Sequence, residues 1–167
     1  MELLNWLETT MGGEFIFTLL VSMIPIVELR GGIPFGAVTL GLPYPVAFIA
    51  AVIGNILPVP FIIIYIRRIF QWLRAHFHKL DGIVDALERK AHLKGKKVNR
   101  YKYVGLLLFV AIPLPGTGAW TGALAAAFLD MPLRKAMPSI ILGVILAGCI
   151  MTGLTHLGIN LFTAVMA

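Results

Sequence analysis

The chain has 167 residues, enough for one domain, and 59% of them are hydrophobic while only 13% are charged, against about 25% charged in an ordinary globular domain. A soluble core of this size cannot hide so much apolar surface at a mean hydropathy of +0.90, so an integral membrane protein is expected, one membrane domain over 1–167. The net charge of +6 does not argue for nucleic acid, because eleven of the fourteen Lys and Arg lie between Arg67 and Lys102, the pattern of a basic loop beside a membrane span.

In chain order, the opening Met1 to Thr10 carries Glu2 and Glu8 but no Lys or Arg, so no cleavable signal peptide is expected. Phe15 to Leu40 is apolar but broken by Pro25, Glu28, Arg30, Gly31, Gly32 and Pro34. Its first stretch, Phe15 to Val27, makes roughly 20 Å of helix, too short for a hydrocarbon core of about 30 Å. Gly31-Gly32-Ile33-Pro34 is expected to end that helix. The segment is therefore predicted to enter, turn near the midplane and leave on the same side, a re-entrant hairpin. Val46 to Ile66 is a full span with Gly54, Pro58 and Pro60 inside it. Ile69, Phe70, Leu73, Phe77, Leu80, Val84 and Leu87 then recur every three or four residues, which marks an amphipathic helix within the basic linker 67–102. His76, His78 and His92 in that linker read as solvated. Val104 to Leu129 is broken again, with a second hairpin over Phe109 to Phe128 turning at Pro113 to Gly118, and Ala136 to Thr155 is a second span. Cys149 is the only cysteine, so neither a disulfide within the chain nor a thiolate metal site is expected.

The two broken regions point to a duplication. Ile24-Pro25 matches Ile112-Pro113 at an offset of 88, and Pro43 and Gly54 match Pro132 and Gly143 at 89. The expected fold is all-α and membrane-integral: two inverted repeats at about 15–66 and 104–155, each a re-entrant helical hairpin plus a transmembrane helix, joined by the amphipathic helix. On this topology thirteen of the fourteen Lys and Arg face one side, which the positive-inside rule makes cytoplasmic, with both termini outside. A single crossing at 15–40 would put the basic loop outside. Trp6, Trp72, Tyr44, Tyr101 and Tyr103 fall where interfacial aromatic anchors belong.

Glu28 and Arg30 are the only ionisable residues inside the first apolar block. Charges at membrane depth are costly and commonly mark a substrate or ion path; the alternative is a buried ion pair that only pins the hairpin. In the functional reading an unwound tip at Val27-Glu-Leu-Arg-Gly-Gly-Ile-Pro34 lets both charges face one cavity. A half-helix opening at Ile33-Pro34, and a second at the tip Pro115-Gly116-Thr117-Gly118-Ala119-Trp120-Thr121-Gly122, then aim their N-termini at the same point, which together with Arg30 suits an anion. Thr117 and Thr121 are expected to add hydroxyl donors and Trp120 an apolar wall. Glu28 is the carboxyl able to exchange a proton as access alternates. Asn55 and Ser139 could line a path or satisfy unwound backbone, the second being expected, and His156 is expected to sit at an interface rather than relay protons. With no nucleophile–base pair, no metal spacing and no phosphate-binding glycine loop beside a strand, neither an enzyme nor a cofactor is expected.

At Val27-Glu-Leu-Arg-Gly-Gly-Ile-Pro-Phe-Gly36 and Pro113-Leu-Pro-Gly-Thr-Gly-Ala-Trp-Thr-Gly-Ala123 the sequence resembles the putative small multi-drug export protein family, over nearly its whole length. That family is distantly similar to the DedA superfamily. The resemblance implies two re-entrant hairpins in inverted repeats and a place in the bacterial inner membrane. It also implies translocation of an anionic lipid carrier, undecaprenyl phosphate or another polyprenyl phosphate, with Glu28 at the proton-coupling position and Arg30 at the phosphate-binding one. The second tip lacks the arginine that DedA proteins usually carry after the Pro-Gly. Two other functions fit the residues: proton-coupled export of small drugs with Glu28 as the binding carboxylate, and a non-transporting membrane scaffold whose basic helix recruits partners. A homodimer is expected, because four short hairpin arms and two spans enclose little volume.

Overall fold

A computed structural model describes residues 10–76, 95–114 and 116–166, and every regular element among them is helical. Helix α1 (Met11–Ser22) begins at Thr10, whose hydroxyl accepts the Gly13 N–H at 3.1 Å, one of the donors a helix start leaves unpaired. The chain breaks over 23–27 and re-forms as α2 (Glu28–Pro34), which runs into a π-helical turn over Phe35–Thr39 closed by the Leu40 N–H on the Phe35 carbonyl at 3.1 Å. Helices α3 (Tyr44–Ile56) and α4 (Val59–His76) are separated only by Leu57 and Pro58. Then come α5 (Gly95–Ala111), a second break over 112–118, α6 (Ala119–Phe128) and α7 (Leu133–Met166). Among the described residues two runs are long and apolar enough to cross a bilayer, Tyr44–Ile66 and Leu133–Gly158. Helices α1, α2 and α6 are much shorter than a bilayer is thick; at 1.5 Å per residue none exceeds about 20 Å.

The first break is not where the glycines are. Gly31, Gly32, Ile33 and Pro34 all lie inside α2, and the chain unwinds ahead of Glu28 instead. The glycines serve close packing: a Cβ on Gly32 would fall on the Ser22 hydroxyl of α1. Pro34 removes the N–H that would reach the Arg30 carbonyl, and the π turn directly behind it takes up the mismatch. The new half-helix consequently opens at Glu28, not at Ile33-Pro34. Helix α4 carries the start of the expected amphipathic pattern to His76; the rest of that pattern, with His78 and His92, and the anchor Trp6 lie outside the described residues.

Helix α1 packs on α2 and α3, and α5 packs on α6 and α7. Helix α2 also lies against α7, and α6 against α4, so the second arm of each break leans on the other half of the chain. The two halves agree in backbone detail at the offset read from the prolines. Gly41 and Asp130, 89 apart, both have positive φ, 77° and 49°. Leu42 and Met131 after them are both buried. The Pro43 carbonyl accepts from Val46 and Ala47, and the Pro132 carbonyl from Lys135 and Ala136, all at 2.9–3.0 Å. A Cβ on Gly54 would fall on the Leu19 carbonyl, and one on Gly143 would lie 2.8 Å from the Leu107 carbonyl.

Burial completes the picture. Ile49, Ile53 and Leu57 on one long run and Leu142, Leu146, Ile150 and Leu154 on the other point outward, while Thr18, Ser22, Glu28, Asn55 and Ser139 are buried. Helix faces that are apolar outside and polar within suit a lipid surround.

Candidate functional site

Glu28 opens α2 with φ 49°, a left-handed conformation that costs a non-glycine residue about 1–3 kcal/mol. Its side chain is 5% exposed and reaches across to the second break, where Oε1 accepts the Trp120 N–H at 3.2 Å. Trp120 is the second residue of α6, so the carboxylate sits on the positive end of that helix and takes one of its unpaired donors. Gly118, just ahead, has φ 147°, and a Cβ there would fall on Glu28 Oε2. Glycine is what lets the carboxylate in. A second tie joins the breaks: the Trp120 indole Nε1–H donates to the Met23 carbonyl at 3.1 Å.

Arg30 Nη2 lies 3.5 Å from Glu28 Oε2, and its side chain is 21% exposed. Residues two apart diverge in a regular helix; the left-handed φ takes Glu28 off that path. Beside the pair opens a cleft of about 460 Å³. Pro25 and Ile26 line it from the first break and Pro113, Gly116 and Thr117 from the second, with Thr121, Met151, Glu28 and Arg30 completing it.

The fold therefore brings Glu28, Arg30, Gly116, Gly118, Thr117, Trp120 and Thr121 together, from stretches about ninety residues apart. Gly31 and Gly32 belong to the body of α2, and Pro115 lies outside the described residues. Several roles differ from expectation. The N-terminus of α6 holds the protein's own carboxylate. Trp120 acts as a staple between the breaks through two N–H groups. Thr117 Oγ1 lies 2.6 Å from the Ile112 carbonyl and 2.9 Å from that of Leu114, and accepts the Leu114 N–H at 3.1 Å; it holds the break's own backbone. Thr121 Oγ1 reaches the Gly118 carbonyl at 3.3 Å. Of the charged pair, Arg30 is the more open to the cleft.

Asn55 is the residue that sequence reasoning undervalued. It satisfies no unwound backbone: it is fully buried on α3 and neither its Nδ2 nor its Oδ1 has a hydrogen-bond partner. It lines a narrow space behind Glu28, together with Arg30, Gly118, Val110 and Val144. The available signal was a lone amide in the middle of an apolar run whose counterpart at the offset of 89 is Val144. His156 is exposed and packs edge-to-face on Tyr44 with ring centroids 5.4 Å apart, which sets the start of α3 beside the later part of α7. Among the described residues no group of three or more His, Cys, Asp or Glu could hold a metal ion.

The family model described as "Putative small multi-drug export protein" matches residues 28–150, from the first residue of α2 to well within α7. No curated protein and no solved structure gives a significant match.

Proposed function

Because the chain belongs to the putative small multi-drug export protein family, we propose that it exports small amphipathic molecules through the cleft where its two helix breaks meet. It is a membrane transport protein and not an enzyme. In this reading the two broken regions are re-entrant hairpins entering from opposite faces. Each forms an inverted repeat with its long helix, within one domain of the bacterial inner membrane whose basic linker is cytoplasmic. The shared backbone detail at the offset of 88–89 supports the repeat. The short arms support the hairpins, because irregular backbone at membrane depth is tolerated where protein or a cavity covers it. The observation that carries the proposal is the cleft itself: about 460 Å³, within the usual size of a small-ligand site, with a carboxylate and a guanidinium at one end. Glu28 couples the movement to protons by exchanging one as the cleft changes sides. In proteoliposomes with an imposed pH gradient, the wild type is expected to move a cationic dye. Glu28→Gln is expected to slow it at least ~10-fold, the factor that about 1.4 kcal/mol represents. Equal rates in the folded variant would sink the coupling, and absence of dye movement by the wild type would sink drug export.

A second substrate, a polyprenyl phosphate such as undecaprenyl phosphate, is favoured by one observation: Glu28 is engaged by α6 while Arg30 is the charge more open to the cleft. An anionic head would bind Arg30 while its tail stayed in the bilayer beside Ile26, which is 92% exposed. Here Arg30→Ala is expected to abolish translocation of a labelled polyprenyl phosphate and to spare dye export. The reverse pattern decides for the drug reading.

A further inference from the structure

The Asn55 amide is fully buried with both of its polar atoms unpaired, and unpaired buried amides are rare because they forfeit their hydration. A buried water is the ordinary remedy, but the narrow space at Asn55 is closed to one as the side chains stand, so any partner has to come with a side-chain movement. Satisfaction must come from a side chain that already lines this space and can turn into it. Among the described residues two polar side chains besides Asn55 do so, Glu28 and Arg30. Arg30 offers donors only and could serve Oδ1 alone. An ionised Glu28 offers acceptors only and could serve Nδ2 alone. A protonated Glu28 carries one O–H and one carbonyl oxygen, and it alone can serve both amide atoms at once.

We propose that Asn55 is the receptor for the protonated Glu28 carboxyl, a positioning residue for proton-coupled transport. The chain then has two carboxyl positions. In one, the carboxylate accepts the Trp120 N–H and faces Arg30, as observed. In the other, a proton taken from water in the cleft neutralises it. The carboxylic acid leaves the positive end of α6 and the guanidinium, and its O–H donates to Asn55 Oδ1 while its carbonyl accepts from Nδ2. Among the described residues, Arg30 is the only other charged residue lining either space around Glu28, and α3, α6 and α7 contribute no titratable side chain there. Releasing Glu28 frees the Trp120 N–H and removes one of the two ties between the breaks, so proton loading loosens the junction. This rests on the reading of Glu28 as the proton-exchanging group, but not on any substrate.

The test is infrared difference spectroscopy of the purified full chain across an acid pH jump, with the Glu28 band identified by its loss in Glu28→Gln. In the wild type the protonated-carboxyl stretch is expected at the frequency of a hydrogen-bonded acid. In Asn55→Leu, and in Asn55→Val with the residue found at 144, it is expected to shift upward to that of a free acid. Both variants are expected to unfold at or above the wild-type temperature, since each removes an unpaired amide. A Glu28 band unmoved in both folded variants overturns the proposal, as does a wild type with no such band at any pH. Because no transported molecule enters the assay, a shifted band in a chain that moves no dye would leave this inference standing and remove only the drug-export reading.

Discussion

Glu28 and Gly118 meet so closely that the second is defined by the first. Gly118→Ala puts a methyl where Glu28 Oε2 lies, on a backbone with φ 147°. The carboxylate must leave the α6 terminus, and the expected cost is about 2–4 kcal/mol from a lost charge-assisted hydrogen bond plus backbone strain. Thermal unfolding in detergent reads it; a variant as stable as the parent would show that the contact is dispensable. Trp120→Phe keeps the N–H on Glu28 and loses only the indole bond to Met23. A milder loss of about 1 kcal/mol is expected from the same measurement. The charged half of this site was legible in the sequence, since Glu28 and Arg30 stand alone in an apolar block. Its other half was not, because a backbone N–H carries no residue signature and Trp120 reads equally well as a wall. Asn55 was visible, and of its two readings the less favoured one, lining a path, is nearer to its place beside Glu28: an amide within a helix announces a polar need without saying whose.

At the scale of elements, the close approaches of α1 to α3 and of α5 to α7 each depend on one glycine, Gly54 and Gly143, set against a backbone carbonyl that cannot step aside. Gly54→Ala and Gly143→Ala are each expected to destabilise by about 1–3 kcal/mol, as overpacking does. Gly153→Ala, with nothing within 4 Å of the added carbon, is expected to be neutral or slightly stabilising through helix propensity. If all three behaved alike in unfolding assays, the packing account would fail. The sequence placed the second helix break correctly at Pro113, where a proline coincides with an unwound backbone. It misled at Gly31-Gly32-Ile33-Pro34, where the same residue types serve a tight helix pair: neighbouring helices supply what proline and glycine withhold. Composition cannot distinguish a glycine that frees the backbone from one that admits a neighbour.

At the scale of the molecule, the proposed opposite entry of the two hairpins predicts opposite faces for the turns behind them. In a Cys149→Ser background, a single cysteine at Gly41 is expected to react with an impermeant thiol reagent only from outside. One at Leu129, exposed beside the second turn, is expected to react only from the cytoplasm. Labelling of both from the same side would refute inversion while leaving the helices as they are. In the proposed topology thirteen of the fourteen Lys and Arg share one face, which is why charge suggests it.

The reciprocal lean of α2 on α7 and of α6 on α4 also fixes an order of events at birth. Ile33, wholly enclosed in the finished structure, is synthesised about a hundred residues before α7 exists to cover it, an interval of roughly 5–20 s at ordinary elongation rates. During that wait Glu28 has no α6 terminus to rest on. Until the ribosome delivers that counterpart, Arg30 is the partner from the observed site that the first half itself can offer this acid.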